Sequence, residues 1–272
     1  MVNGYLATSL QDALEIRARE VVTPYGGGTD LMIEPKEDAT YLFLGKVPEL
    51  KKICEDNQYI RIGAATTFTD ILESELIPAI LKEAVSQIAA PAIRNLGTAG
   101  GNICNGSPKG DSTLIFFAAD AKLRLVSKNG ERVIPIAEFF LGRKKIALKE
   151  DELLVEILLS RTGLANYYYK KVGARDALAI SRVAFAAVMD IEDGKIAACK
   201  TAFGAVSDCF IRRPDIDGML EGKTIEEAKA LKEQYLAAYD QAIVPIKGRI
   251  SAEYRKIVCM NLLRDFLESN RI

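Results

Sequence analysis

Residues 97–111 read GTAGGNICNGSPKGD, and the interpretation of the whole chain begins from this glycine-rich stretch. A second stretch of this kind lies upstream, where residues 21–32 read VVTPYGGGTDLM. Glycine adopts positive φ easily and lets a ligand approach the backbone, and successive free N–H groups in such a loop form a concavity for anions. Two such loops favour one shared phosphate ligand, because a pyrophosphate needs more donors than a single short loop offers.

Neither loop matches the common nucleotide-binding motifs. Both lack the Gly-x-Gly-x-x-Gly fingerprint with an acidic residue about 20 positions further on, and both lack the Gly-Lys-Ser/Thr end of a P-loop. The residues themselves therefore predict a binder of a dinucleotide or another phosphate ligand, built on a different kind of loop.

The segments around the loops predict alternating strands and helices. Strands are expected at VVTPY (21–25, buried), YLFLG (41–45) and Ile60–Ile62. Helices are expected in SLQDALEIRARE (9–20), from about Asp30, after Thr69, in AILKEAVSQIA (79–89) and in STLIFFAAD (112–120). The predicted N-caps are Ser9, Thr69 and either Asp111 or Ser112.

Asn129-Gly130 lies between two alternating apolar runs, which is typical of a two-residue hairpin turn. The last third of the chain predicts an antiparallel sheet with helices, because Asp193-Gly194 lies between two apolar strands as a second hairpin. Two long helices follow, TIEEAKALKEQYLAAYD (224–240), where Thr224 and Glu227 form a capping box, and SAEYRKIVCMNLLRDFLES (251–269).

Composition excludes several classes of protein. The 272 residues carry a net charge of −1, so there is no basic surface for nucleic acid. No apolar stretch approaches the roughly 20 residues that cross a bilayer. The N-terminus MVNGYLATSLQDALEI lacks the features of a signal peptide, so we expect a cytoplasmic protein without membrane contact.

The chain contains no histidine, which excludes Ser-His-Asp and Cys-His nucleophile systems and histidine metal sites. Its five cysteines are scattered and no pair has Cys-x-x-Cys spacing, so we expect no metal site and no disulfide framework. No catalytic residue is assigned, and redox chemistry would require a bound cofactor.

The motif TAGGNICNGSPKGD (98–111) closely resembles the flavin-binding signature of the FAD subunit in the xanthine dehydrogenase, or molybdenum hydroxylase, family, which includes the medium subunit of carbon monoxide dehydrogenase. YGGGTDLM (25–32) looks like the first glycine loop of that family. Similar text occurs at YYYKKVGARDALAIS (167–181) and SAEYRKIV (251–258), so the resemblance covers nearly the whole chain.

The resemblance implies an α+β fold with a two-lobed FAD-binding domain of the vanillyl-alcohol-oxidase-like type, whose lobes are residues 1–55 and 56–162. A C-terminal α+β domain, residues 163–272, follows with an antiparallel sheet and helices. FAD would lie between the lobes.

The resemblance also implies the cofactor-binding residues. One side of the pyrophosphate would be lined by Gly26, Gly27, Gly28, Thr29 and Asp30, and the other by Thr98, Gly100, Gly101 and Asn102. Cys104 and Asn105 would continue along the cofactor, Asp111 would bind its sugar or ribityl hydroxyls, and Lys171 would lie near the flavin ring.

By the same resemblance, the chain is the FAD-carrying electron-transfer subunit of a hetero-oligomer. A molybdopterin-binding large subunit would oxidise the substrate, a small subunit would pass electrons through 2Fe-2S clusters, and NAD or another acceptor would take them from the flavin. Two alternatives stay open, namely a stand-alone FAD oxidoreductase without a covalent flavin link, and a non-redox phosphate-ligand binding or assembly subunit.

Several of these residues also have a simpler structural interpretation. Asp111 could serve only as a helix cap, Lys171 could be a solvated charge, and the run Tyr167–Tyr169 favours packing over flavin stacking. Cys104 has no histidine or clustered base to activate it and is interpreted as a small packing residue. Arg255 is expected to form a structural ion pair.

Overall fold

The structure of the protein is a computed structural model that describes residues 3–36 and 38–272. Its helices are α1 (Leu10–Arg19), α2 (Phe68–Glu73), α3 (Ala79–Ser86), α4 (Pro91–Arg94), α5 (Ala99–Cys104), α6 (Asp111–Ala118), α7 (Ile136–Phe139), α8 (Pro214–Asp217), α9 (Ile225–Ala242) and α10 (Ala252–Ser269).

The strands are β1 (Asn3–Leu6), β2 (Thr23–Tyr25), β3 (Thr40–Phe43), β4 (Ile53–Glu55), β5 (Tyr59–Gly63), β6 (Lys122–Ser127), β7 (Gly130–Pro135), β8 (Phe140–Gly142), β9 (Lys145–Ile146), β10 (Leu153–Ser160), β11 (Tyr167–Val172), β12 (Val183–Glu192), β13 (Lys195–Gly204) and β14 (Ile211–Arg212).

The chain forms two compact units. The first contains the described residues of Met1–Ile77, with Ile88–Ser107 and Asp120–Ser160. The second contains Pro78–Gln87, Pro108–Ala119 and Arg161–Ile272, so it includes α3 and α6. The division at 1–55, 56–162 and 163–272 that the resemblance implies stays a prediction.

The first unit is built on two main sheets. Three strands form a parallel sheet in the order β1-β3-β2, and five form an antiparallel sheet in the order β4-β5-β10-β6-β7. Strands β8 and β9 form a separate small hairpin. Leu14, Leu42, Leu50 and Val155 belong to a buried cluster in this unit.

Local sequence signals account for much of the first unit. The Ser9 side chain accepts a hydrogen bond from the Asp12 N–H, which confirms the predicted cap of α1. Strands β6 and β7 form the predicted hairpin, but its two-residue turn is Lys128-Asn129, because Gly130 already pairs with Ser127 as the first residue of β7. The predicted cap Thr69 is wrong, because Thr67 forms a complete capping box with Asp70 at the start of α2.

The segment around the first glycine loop differs from the prediction in two ways. Strand β2 is half-buried along its length, where a buried strand was expected. No helix begins near Asp30, since residues 29–33 form turns. Pro35 follows closely, and the residue before a proline is disfavoured in helical conformation, so a helix cannot be extended there.

The second unit contains an antiparallel sheet in the order β11-β12-β13-β14, as predicted. Asp193 and Gly194 have φ values of 49° and 75° in the hairpin between β12 and β13, which suits the predicted two-residue turn. Thr224 and Glu227 form the predicted capping box of α9. Phe185 and Phe203 pack in the core with ring centroids 4.7 Å apart.

The predicted ion pair of Arg255 is wrong. Its buried guanidinium donates hydrogen bonds to the backbone carbonyl oxygens of Arg182 and Ala205. The residue therefore connects α10 to two backbone segments, and burial lowers the pKa of its guanidinium from the ordinary value.

Candidate cofactor-binding site

The two glycine segments pack directly against each other in the first unit. A Cβ atom on Gly27 would lie 1.6 Å from the carbonyl oxygen of Leu96, and one on Gly26 would lie 2.7 Å from Oγ1 of Thr98. Real Cβ atoms essentially never approach backbone atoms so closely, so Gly27 must lack a side chain. The structure thus brings together the two loops that the sequence analysis singles out.

The first loop presents unused backbone donors. Within residues 3–36 and 38–272, the N–H groups of Gly27, Gly28 and Thr29 find no acceptor, whereas the Gly28 carbonyl oxygen accepts from the Met32 N–H at 2.9 Å. Gly28 has a φ of +71°, and a Cβ there would lie 2.0 Å from the Tyr25 hydroxyl oxygen. Consecutive free N–H groups of this kind suit an anion.

The second glycine segment already uses several of its N–H groups in hydrogen bonds to other atoms of the protein. Helix α5 begins inside the motif, and the Thr98 side chain accepts a hydrogen bond from the Gly101 N–H at 3.1 Å. The N–H groups of Ala99 and Gly100 donate to the carbonyl oxygens of Thr66 and Ala64. The two segments therefore differ, since the first offers donors and the second offers a compact surface of small residues.

Gly100 and Gly101 have different surroundings in α5. Gly100 is buried, and a Cβ on it would lie 2.6 Å from the Cβ of Ala64. Gly101 is exposed, and a Cβ on it would meet only Oγ1 of Thr98, at 2.8 Å. A side chain at Gly101 would therefore project from the surface of the motif, where a ligand could lie.

Lys144 was missed by the sequence analysis. Its ammonium group donates to the side-chain oxygen of Asn105 and lies 3.4 Å from Oδ2 of Asp30, so it contacts residues of both glycine segments. The run of three basic residues at positions 143–145 carries no signal that distinguishes the middle one. Only the turn conformation at Lys144, with a φ of +60°, sets it apart.

Cys104 lies at the end of α5 and is half-buried. Burial raises the pKa of its thiol to about 12, so the thiol stays protonated near neutral pH. A protonated thiol is a weak nucleophile, which agrees with the interpretation of Cys104 as a packing residue.

Asp111 and Lys171 form a buried ion pair in the second unit. Oδ2 of Asp111 accepts from Nζ of Lys171 at 2.7 Å, and its Oδ1 accepts from the Ser181 hydroxyl at 2.6 Å. Lys171 also donates to the carbonyl oxygen of Gln87 at 2.8 Å. The side chains of the pair are each only 7% exposed, so Lys171 is not a solvated charge.

The pair has consequences for Asp111. Gly110 occupies the cap position of α6 and no side chain caps it, so the predicted cap role of Asp111 or Ser112 is wrong. Burial raises the pKa of the Asp111 carboxyl, and the charge of Lys171 and the Ser181 hydroxyl oppose that rise. The contacts of Asp111 with Lys171 and Ser181 span 60 and 70 residues of sequence, so no local sequence pattern predicts them.

A cavity of about 490 Å³ lies beside this pair, lined in part by Tyr169, Lys171, Gly173 and Arg175. Tyr169 is 4% exposed, and its buried hydroxyl has no hydrogen-bond partner within the described part of the chain. Tyr168 packs its ring against Phe185 and Phe266 instead. The tyrosine run thus divides between core packing and the wall of the cavity.

Within residues 3–36 and 38–272, no group of three or more Cys, Asp or Glu side chains could hold a metal ion. No helix in this part of the chain has the length and apolar character to cross a membrane.

The chemistry of the glycine segments fits a ligand that carries a pyrophosphate. The first loop combines N–H donors that have no acceptor in the described part of the chain with positions that tolerate no side chain, and it packs against a motif of small residues. These features let two phosphate groups approach the backbone without displacing a side chain.

Family models match both parts of the chain. The model described as "FAD binding domain in molybdopterin dehydrogenase" matches residues 1–160, and that described as "CO dehydrogenase flavoprotein C-terminal domain" matches residues 167–270.

Curated relatives agree with these matches. The xanthine dehydrogenase FAD-binding subunit of Escherichia coli O157:H7 is 34% identical, over 76% of this chain and 74% of that protein. The nicotinate dehydrogenase FAD-subunit of Eubacterium barkeri is 32% identical, over 85% of this chain and 81% of that protein.

Solved structures share the fold. A chain of the CO dehydrogenase from Oligotropha carboxidovorans superposes with a TM-score of 0.89 at 24% identity, covering 98% of this chain and 96% of that chain. Together with the matching family models, this similarity confirms the predicted fold class, an FAD-binding domain followed by a C-terminal domain with an antiparallel sheet.

Proposed function

The chain belongs to the family of FAD-binding subunits of molybdopterin dehydrogenases, and from this premise we propose that it is the electron-transfer subunit of a molybdenum hydroxylase. It is an oxidoreductase component, and FAD is its cofactor. Bound FAD supplies a redox centre that is stable after one-electron and two-electron transfer, so it can link single-electron carriers to a hydride acceptor.

One observation carries the assignment of the binding residues. Among the described residues, the N–H groups of Gly27, Gly28 and Thr29 in the first glycine loop have no acceptor, and the loop packs against the second segment so tightly that Gly27 admits no Cβ. We assign these N–H groups to the pyrophosphate. Thr98, Gly100, Gly101 and Asn102 would form the surface that faces the cofactor, with Cys104 and Asn105 beyond them.

We retain Lys171 and Asp111 in the proposed site, but with roles that differ from those that the family resemblance implies. Both carboxylate oxygens of Asp111 already accept hydrogen bonds. This arrangement favours Asp111 as the residue that orients Lys171, over Asp111 as a direct ligand of the cofactor hydroxyls. Lys171 would then face the flavin ring as half of a neutral pair.

The partners and the electron acceptor belong to the proposal. We assign substrate oxidation to a molybdopterin-binding large subunit and electron delivery to a small subunit with 2Fe-2S clusters. NAD or another acceptor would receive the electrons, in the cytoplasm. The relatives of this chain include a "nicotine 6-hydroxylase medium subunit" and a "carbon monoxide dehydrogenase medium chain", names that describe parts of larger assemblies.

The test is flavin binding by the purified chain and by a glycine variant. We expect about one FAD per chain after reconstitution, and we expect acid to release it, since the absence of histidine excludes a histidyl–flavin link. Gly101→Val should fold and bind FAD much more weakly, because its side chain occupies the space above α5.

Gly45→Val is the matched control, since a Cβ on the exposed Gly45 meets nothing within 4 Å. It should keep full flavin occupancy and an unchanged melting temperature. A wild-type chain that binds no flavin would overturn the proposed function and favour the non-redox alternative. Full occupancy in Gly101→Val would overturn only the assignment of the second segment.

A further inference from the structure

We propose that Lys144 is a positioning residue that neutralises Asp30 and holds it beside Asn105, so that the glycine segments accept a pyrophosphate. The inference rests on the proposed binding of FAD and deepens it. Lys144 lies in the turn between β8 and β9, outside both glycine segments, and it connects them through its side chain and its backbone.

The backbone of Lys144 is fixed on the second segment. Its N–H donates to the carbonyl oxygen of Gly106 at 2.8 Å. A Cβ on Gly106 would lie 3.1 Å from Cα of Lys144, and Gly106 itself has a φ of +61°. The turn therefore sits close over the residue that follows Asn105, and this contact sets the place from which the Lys144 side chain extends.

The side chain of Lys144 reaches both segments at once. Its ammonium donates to the amide oxygen of Asn105 and lies 3.4 Å from Oδ2 of Asp30. Asp30 ends the loop that presents the free N–H groups of Gly27, Gly28 and Thr29. One cation thus contacts the carboxylate of the first loop and the amide oxygen of the second segment.

Charge explains why this contact should affect binding. A pyrophosphate approaching the first loop would meet the negative charge of Asp30, and like charges at contact range repel each other. Lys144 balances that carboxylate before the ligand arrives. Its side chain is 55% exposed and that of Asp30 is 60% exposed, so solvent screens the effect and limits it to a modest factor in affinity.

A double-mutant cycle on FAD affinity tests the proposal. We expect Lys144→Met to raise the Kd for FAD about five- to tenfold, equivalent to about 1–1.4 kcal/mol. Asp30→Asn should remove the need for the cation, so the double variant Asp30→Asn/Lys144→Met should bind FAD as tightly as Asp30→Asn alone. Lys144→Arg keeps the charge and should stay within about twofold of wild type.

Two controls separate this role from general stabilisation. Lys145→Met removes a neighbouring exposed lysine and should leave the Kd unchanged. Riboflavin has no phosphate, so its affinity should be equal in wild type and Lys144→Met. A parallel loss of riboflavin and FAD affinity would show a structural defect and overturn the proposal.

The outcomes distinguish this inference from the function on which it rests. If the wild-type chain has no affinity for FAD, the proposed function itself is overturned. FAD binding that is equal in wild type and Lys144→Met overturns the inference alone. A loss in Lys144→Met that Asp30→Asn does not rescue would show that Lys144 touches the ligand directly, and this also overturns the neutralising role.

Discussion

A buried lysine and a buried aspartate stabilise a fold only together. Lys171 and Asp111 lie 2.7 Å apart with side chains that are each 7% exposed, so each compensates the desolvation of the other. Removing one partner of such a pair leaves an uncompensated charge, which destabilises proteins by about 3–5 kcal/mol. Replacing both partners by neutral groups avoids that penalty.

The pair predicts a stability defect that depends on pH. Burial raises the pKa of Asp111, so between the ordinary and the raised value the folded state holds a proton that the unfolded state has released. The contribution of this carboxyl to stability therefore falls as the pH rises through that window. Lys171→Met removes the opposing cation and widens the window, and it should lower the free energy of unfolding by about 3–5 kcal/mol at neutral pH.

Urea unfolding at about pH 5 and about pH 8 measures this effect, and the deficit of Lys171→Met should be smaller at the lower pH. The double variant Lys171→Met/Asp111→Asn is the matched control, and it should recover most of the lost stability at both values. An equal deficit at both pH values would show that Asp111 does not titrate in the variant.

Sequence reasoning found these residues but not their relation. Asp111 and Lys171 entered the predicted site because they match a family pattern, and their contact across 60 residues became visible only in the fold. The helix cap at Thr67 could have been predicted, because Thr67 and Asp70 have the spacing of a capping box. The contacts of Lys144 could not have been predicted, because they depend on the turn between β8 and β9 and on the positions of Asn105 and Asp30 in the fold.

At the scale of elements, a single carboxylate connects β13, α8 and α9 in the second unit. Asp217 is 1% exposed and accepts from the N–H and hydroxyl of Thr201 and from the hydroxyls of Tyr235 and Tyr239. The guanidinium of Arg212 also contacts it. Burial raises the pKa of this carboxyl, and the surrounding donors oppose that rise.

This network predicts a graded series of stability changes. Asp217→Asn removes the charge that balances Arg212 and weakens several hydrogen bonds, so it should lower the free energy of unfolding by about 3–5 kcal/mol. Tyr239→Phe removes one hydroxyl and should lower it by about 0.5–1.5 kcal/mol. Denaturant unfolding followed by far-ultraviolet circular dichroism measures both, and equal losses would contradict a central role for Asp217.

Elements with strong local signals were predictable from the sequence. The hairpin at Asp193-Gly194 formed as predicted because both turn residues adopt positive φ, whereas the turn between β6 and β7 lies one residue earlier than the predicted Asn129-Gly130. The helix expected from Asp30 failed because Pro35 follows too soon. The packing of α3 and α6 with residues 161–272 could not be predicted from local sequence patterns, because it arises from long-range burial of their apolar faces.

At the scale of the whole molecule, the chain belongs to a family of FAD-binding subunits of molybdopterin dehydrogenases. The described residues hold no metal-binding group, and the cysteines of the sequence lack the spacing that binds iron–sulfur clusters. Under the proposed function, substrate oxidation would occur on a molybdopterin-binding partner, and the flavin subunit alone would exchange electrons only with soluble donors and acceptors.

The purified, FAD-loaded chain should therefore have one redox activity and lack another. We expect NADH-dependent reduction of a two-electron dye, in which NADH loses a hydride and the dye gains two electrons and a proton through the bound flavin. We expect no hydroxylation of purines or other nitrogen heterocycles, because the proposed function assigns substrate oxidation to the molybdopterin-binding partner subunit. Gly101→Val, with little bound flavin, should reduce the dye in proportion to its residual occupancy. Hydroxylation by the single chain would contradict its role as one subunit of a larger enzyme, whereas a flavin that NADH cannot reduce would point to an acceptor other than NAD.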